Sequence, residues 1–190
     1  MGIDLITVNS GRYLDDNDVV HNVVDTTTGG FKTTDTDHAY IHAGGGFSFY
    51  NKFTLASGAS AIVGFKSSST KAIHFRPFNV ATLAENVTII ARESAVYTGG
   101  TTIASNNHNR MSSVVSDCVI SLAPTVTTQG NAFAEVYIGG GTGVAQSRIG
   151  GTSESSREWV LKHNTYYTIT ILNGSSNSNT IHLNAFWYEE

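Results

Sequence analysis

Seven histidines and fifteen acidic residues are the side chains to weigh first for chemistry. Asp35-Thr36-Asp37-His38, with His42 beyond, holds the ingredients of a metal site. A calcium loop asks for a longer regular set of oxygens and a turn glycine, so the run reads as a solvated acidic turn entering a strand. His74 and His182 stand between apolar neighbours, and either has the chemistry of a general base. No nucleophile is paired with them and no G-x-S-x-G elbow occurs, so structural roles are expected. Glu93, Glu135 and Glu158 show no spacing that marks the carboxylate pair of a glycoside hydrolase. The expectation is a protein that is not an enzyme and carries no cofactor.

Three other groups have the makings of contact surfaces. Asn106-Asn107-His108-Asn109-Arg110 offers amides, an imidazole and a guanidinium, in which Asn107, His108 and Arg110 either meet a partner or tie down their own loop. Residues 139–151 hold six glycines, but no lysine follows them as a phosphate loop requires, and the stretch before the next glycine pair is too short for a dinucleotide-binding helix. A long contact loop remains, with Gly140, Gly141 and Arg148 as candidates. Asp15, Asp16 and Asp18 form an acidic cluster suited to basic residues on a partner. Tyr40, Tyr50, Trp159, Trp187 and Tyr188 have the rings to stack on sugars, although aromatics alternating along strands are more often core. The single Cys118 lies in the apolar run 114–120 and reads as a buried, inert thiol.

The elements that must position these groups are strands. Val, Ile, Thr, Phe, Tyr and Trp total 72 residues, whereas Leu, Glu, Lys, Gln, Arg and Met total 30, a balance that suits pleated, half-buried surfaces over long helices. Apolar residues alternate with polar ones over 47–55, 73–78, 87–92, 132–138, 167–171 and 181–187, with shorter pieces at 39–42, 61–65, 120–122 and 159–161. That pattern predicts eight to ten strands, in a jelly-roll-like antiparallel β-sandwich.

Charge divides the chain unevenly. Residues 1–37 hold seven Asp against Arg12 and Lys32, a balance of −5, and residues 38–190 hold nine basic and eight acidic side chains, a balance of +1. The reading is an extended acidic N-terminal arm, 1–37, on a β body, 38–190. A body of that size buries roughly 70% of its extended surface and folds without staples. Net charge of −4 leaves no basic footprint for nucleic acid, and no apolar run reaches the length of a membrane span. Met1-Gly2-Ile3-Asp4 lacks the features of a secretion signal, and one cysteine fits synthesis in a reducing cytoplasm.

The ordered set His42-Ala43-Gly44-Gly45-Gly46-Phe47-Ser48-Phe49, Ile73-His74-Phe75-Arg76, Asn107-His108-Asn109-Arg110, the glycine-rich loop, Asn164-Thr165-Tyr166-Tyr167 and Ala185-Phe186-Trp187-Tyr188-Glu189-Glu190 resembles the capsid decoration (cement, auxiliary head) proteins of tailed bacteriophages. The resemblance covers residues 38–190. It implies a virion protein on the outer capsid surface, made in the bacterial host cytoplasm, that stabilises capsomer junctions. Its partners would be the major capsid protein and further copies of itself, as a dimer or trimer. The same landmarks fit a head fibre or a tail receptor-binding glycan adhesin.

Overall fold

The computed structural model describes residues 12–14, 20–22, 36–76, 78–83, 86–139 and 158–190, with side chains from Ala39 onward. The chain divides into two units, Met1–Ala39 and Tyr40–Glu190. In the first, β1 (Arg12–Leu14) and β2 (Val20–Asn22) pair antiparallel with Arg12 opposite Asn22.

The strand expected at 39–42 is instead the end of a helix, α1 (Thr36–Ala43). Its stop is a glycine cap: Gly44 sits at φ +81°, Gly44 N–H donates to Ile41 C=O at 3.0 Å and Gly45 N–H to Tyr40 C=O at 2.8 Å. Left-handed backbone at the residue after a helix is what glycine supplies most cheaply, and those two bonds satisfy the last carbonyls. Alternation over four residues was too short to carry that distinction.

Eight positions make the sandwich. One sheet sets β3 (Gly46–Leu55) beside β16 (Asn179–Glu189), which pairs on its other edge with β5 (Ile73–Phe75) and β6 (Asn79–Thr82), and β14 (Trp159–Leu161) follows β5. The other sets β13 (Asn131–Ile138), β7 (Val87–Glu93), β15 (Tyr166–Asn173) and β4 (Ser60–Lys66) side by side. All these pairings are antiparallel. Taking β5 and β6 as one interrupted strand, the chain crosses between sheets in the order that winds a jelly roll.

The parity of the sequence explains the packing. Ile181, Leu183, Ala185 and Trp187 of β16 are buried, while His182 and Asn184 between them are exposed. Trp187 sits at the middle, its ring 6.1 Å from Phe47, 5.3 Å from Phe65 and 6.3 Å from Phe75, so both sheets meet on one indole. Burying side chains of this size stabilises the fold by about 1.5–3 kcal/mol each.

Between β7 and β13 the chain makes an excursion through β8 (Val96–Thr98), β9 (Thr101–Ile103), β10 (Asn106–Asn107), β11 (Val119–Leu122) and β12 (Thr125–Thr128). β8 and β12 form a ribbon, β10 extends the first sheet beyond β3, and β11 with β9 extends the second beyond β4. The ribbon closes on Gly64, where an added Cβ would lie 2.6 Å from the Tyr97 ring. These short strands raise the number above the eight to ten expected. The loop from β10 to β11 therefore crosses from the edge strand of one sheet to the strand next to the edge of the other.

Candidate functional site

That crossing loop, the end of α1 and the end of β16 converge at one end of the sandwich. Gly44, Gly45 and Gly46 let them close: a Cβ would meet Ser112 Oγ at 2.4 Å on Gly44, Glu189 C=O at 3.0 Å on Gly45, and Ile41 Cγ1 at 2.9 Å on Gly46. Asn107 is the pin. Its Nδ2 donates to Gly44 C=O at 2.8 Å and Val114 C=O at 2.9 Å, and its Oδ1 accepts from Asn109 N–H at 2.8 Å. Asn109 Nδ2 reaches His42 C=O at 2.9 Å, and its Oδ1 accepts from Met111 N–H at 3.1 Å. Ser112 Oγ accepts from Val114 N–H, and Ser116 Oγ from Cys118 N–H. Side-chain oxygens thus replace a strand ladder along most of the loop.

The far end of the loop is tied to the C-terminus. Glu189, with a side chain 1% exposed, accepts from Ser116 Oγ at 2.5 Å, Asp117 N–H at 3.2 Å, Trp187 Nε1 at 3.1 Å and Lys71 Nζ at 3.2 Å. Lys71 also meets Asp117 at 3.1 Å. Burial opposes the charge on Lys71, but the two carboxylates outweigh it and raise its pKa. A buried carboxylate with this many donors is a structural joint.

Beside it, on the outer face of the first sheet, Tyr188 is sandwiched between Tyr40 at 4.7 Å and His74 at 4.5 Å, with interplanar angles of 16° and 8°. Cross-strand register puts Tyr188 opposite His74. Glu158 accepts from Tyr188 Oη at 2.8 Å and meets His74 Nδ1 at 3.0 Å. Glu190 meets His74 Nε2 at 3.3 Å and accepts from Tyr40 Oη. Burial works against the charge on Glu158, yet the bonds from His74 and Tyr188 hold its carboxyl below the usual range. The bond to Glu190 and burial push Tyr40 up to about 12. Both carboxylates are engaged with the imidazole and a phenol, so the cluster acts as a clamp on α1, β5 and β16.

Of the residues marked in the sequence, the fold brings Asn107, His108 and Arg110 to this end. Asn107 serves the loop itself. His108 leans on Phe186 at 4.8 Å, and partial burial lowers its pKa. Arg110 is exposed, and its Nη1 donates to Asn107 C=O at 3.3 Å. Asp15, Asp16, Asp18, Gly140, Gly141 and Arg148 lie outside the described residues. Among the aromatics weighed for sugar stacking, Trp187 and Tyr188 are buried and Tyr40 and Trp159 are half-buried; Tyr50, 70% exposed, is the free ring of that set. Cys118 is buried, as expected. Val114 and Val115, read together with it as one apolar run, point to solvent with Met111, which is 97% exposed. No three His, Cys, Asp or Glu side chains among the described residues are placed to hold a metal ion. Comparison with family models, curated proteins and solved structures finds no match.

Proposed function

We propose that the chain is a structural protein of a bacteriophage virion that binds the outer surface of the capsid and stabilises capsomer junctions as a decoration protein. The observation that supports this reading most is convergence. Four of the six segments that carry the resemblance, at 42–49, 73–76, 107–110 and 185–190, are far apart in sequence and meet at one end of the sandwich. A protein that binds only the assembled shell lowers the free energy of that state by mass action, and many copies on one lattice multiply a modest affinity per site. The acidic residues 1–37 supply a second contact. Deletion of residues 1–37 is expected to weaken co-sedimentation with shells while the β body stays folded. Full attachment after deletion removes the arm from the mechanism, and electron microscopy of virions that locates the protein at the tail tip rejects decoration.

A receptor-binding glycan module is the second reading, and Tyr50 favours it. Its exposed ring lies opposite Asn184 on the outer face of the first sheet, where Asn184 is also opposite Asn79. An apolar ring face flanked by amides suits a sugar, and glycan-array binding lost in Tyr50→Ala would establish it.

A further inference from the structure

His74, its side chain 15% exposed, has a carboxylate oxygen against each ring nitrogen: Glu158 Oε1 lies 3.0 Å from Nδ1, and Glu190 Oε2 lies 3.3 Å from Nε2. A neutral imidazole carries one N–H and one lone pair, so it donates to one carboxylate and turns its lone pair on the other. An imidazolium donates to both. The remaining oxygens are already taken, Glu158 Oε2 by Tyr188 Oη and Glu190 Oε1 by Tyr40 Oη. The arrangement therefore holds one proton more than a neutral ring and two carboxylates supply. Imidazole is the stronger base, with an ordinary pKa of about 6.5 against about 4.3 for glutamate, so that proton belongs on the ring.

The other groups around the ring agree with this. Tyr188 stacks on its face and Tyr40 stacks behind Tyr188. Tyr40, pushed up to about 12 by its bond to Glu190 and by burial, keeps its proton throughout the neutral range. Burial works against the charge on Glu158, but the bonds from His74 and Tyr188 and the charges of His74 and Arg76 keep it ionised. We infer that His74 is the bolt of a pH-sensitive latch: as an imidazolium it joins Glu158 to Glu190 and, through Tyr188 and Tyr40, holds the last turn of α1 and the end of β16 against β5, and loss of one ring proton opens them. The closed latch binds a proton that a solvated histidine releases above about pH 6.5, so closure has full support below that value and weakens as pH rises. One linked proton changes the equilibrium by at most about tenfold per pH unit. His108, at the same end, acts on the acid side, because its lowered pKa withdraws support only as pH falls.

The test uses the full chain. Ring-nitrogen NMR with isotope-labelled histidine, assigned with His74→Gln, should show both nitrogens of His74 as N–H at about pH 7.5. The amides of Gly45 and Glu190 donate to Tyr40 C=O and Ala72 C=O at this end, and those of Asn173 and Gly174 donate to Ala59 C=O and Asn86 C=O at the other end of β16. Exchange at the first pair relative to the second, corrected for intrinsic rates, should rise by up to about tenfold per unit above pH 6.5. Glu190→Gln separates charge from contact: its Oε1 still accepts from Tyr40, and its amide donates to the lone pair of a neutral His74. In that variant the exchange ratio should stay within about twofold up to about pH 8.5. His74→Gln should raise the ratio and make it independent of pH. A single ring N–H on His74 at about pH 7.5, with Gly45 still protected, overturns the proposal. So does a ratio that stays flat with pH in the unsubstituted chain. A Glu190→Gln protein as sensitive to pH as its parent overturns it as well, since another proton then drives the opening.

Discussion

Two loops at opposite ends of β16 are locked by the same device and carry different cargo. At the Asn173–Asn179 tip, Asn173 is fully buried; its Nδ2 faces Leu55, Ala56 and Asn177 carbonyls at 3.0, 2.9 and 2.8 Å, and its Oδ1 accepts from Ser175 N–H and Oγ. At the Asn107–Cys118 loop, half-buried Asn107 makes two such bonds to carbonyls and accepts one. The strand between them is ten residue steps long, roughly 34 Å. The tip exposes Gly174, Ser176, Asn177 and Ser178, whereas the other loop exposes Met111, Val114 and Val115. A locked loop therefore does not require exposed apolar groups. The two loops therefore share a way of being held and differ in what they present to water.

The difference in burial sets the largest expected effect. Asn173→Ala removes an amide from a site that water does not reach and takes the acceptor from Ser175 N–H; Ala59 N–H still serves Ala56 C=O and Ser175 Oγ still serves Asn177 C=O, so a loss of about 2 kcal/mol is expected. Asn107→Ala opens groups that water can reach, so about 1 kcal/mol is expected. Urea midpoints at constant m-value measure both. The order of the two in shell binding should reverse, since the segments that carry the resemblance meet at the Asn107 end and not at the tip. Equal losses of stability would show that the two locks are not different in kind.

The winding was legible where strands were long and half-buried. Strands β7, β13, β15 and β16 announce themselves because one face meets the other sheet and the other meets water, which writes alternation into the sequence. The excursion did not. β8, β9, β10 and β12 are two to four residues long and rich in Thr and Asn, too short for a period to register. Asn107 was open between contacting a partner and tying its loop, since an amide suits both; Gly44 C=O, 63 residues away, decides for the tie. The donors to Glu189 from Lys71, Ser116 and Asp117 lie more than 70 residues off in sequence, beyond the reach of any local pattern. The exposure of Val114 and Val115 was hidden by their kinship to the buried run around Cys118. Only the crossing from one sheet to the other lifts them out of it.

Acid should separate the two ends further. The tip from Asn173 to Asn179 holds no titratable side chain. The opposite end holds Glu158 and His108, both with folded pKa values lowered. A depressed folded value means that stabilisation is present above the unfolded pKa and lost as pH falls through the folded one. His108 should begin to withdraw its share below about pH 6.5 and Glu158 below about pH 4.3. Both groups are partly solvated, so the effect is modest. Amide exchange, corrected for its intrinsic pH dependence, should lose protection around residues 40–46, 74 and 186–190 before it does around 173–179. Glu158→Gln should shrink that difference. Simultaneous loss at both ends would mean that acid acts on the sandwich as a whole.

Cys118 provides the finest probe, because it closes the Asn107–Cys118 loop. Its thiol is buried, and burial together with Glu189 raises its pKa well beyond the ordinary thiol range. Thiolate is the reactive form, so a disulfide reagent near pH 8 should find no thiol in the folded protein and one in denaturant. The slow residual rate then measures opening, local or global. Asn107→Ala should raise it beyond what its small loss of stability accounts for, because the loop opens without the core. Asn173→Ala should raise it only in proportion to global stability, since its lock lies at the other end of β16. Plotted against the urea-derived stability of each variant, Asn173→Ala falls on the line set by denaturant and Asn107→Ala falls above it. Both variants on one line would mean that the loop opens only when the sandwich does, and the two ends would then be a single cooperative unit.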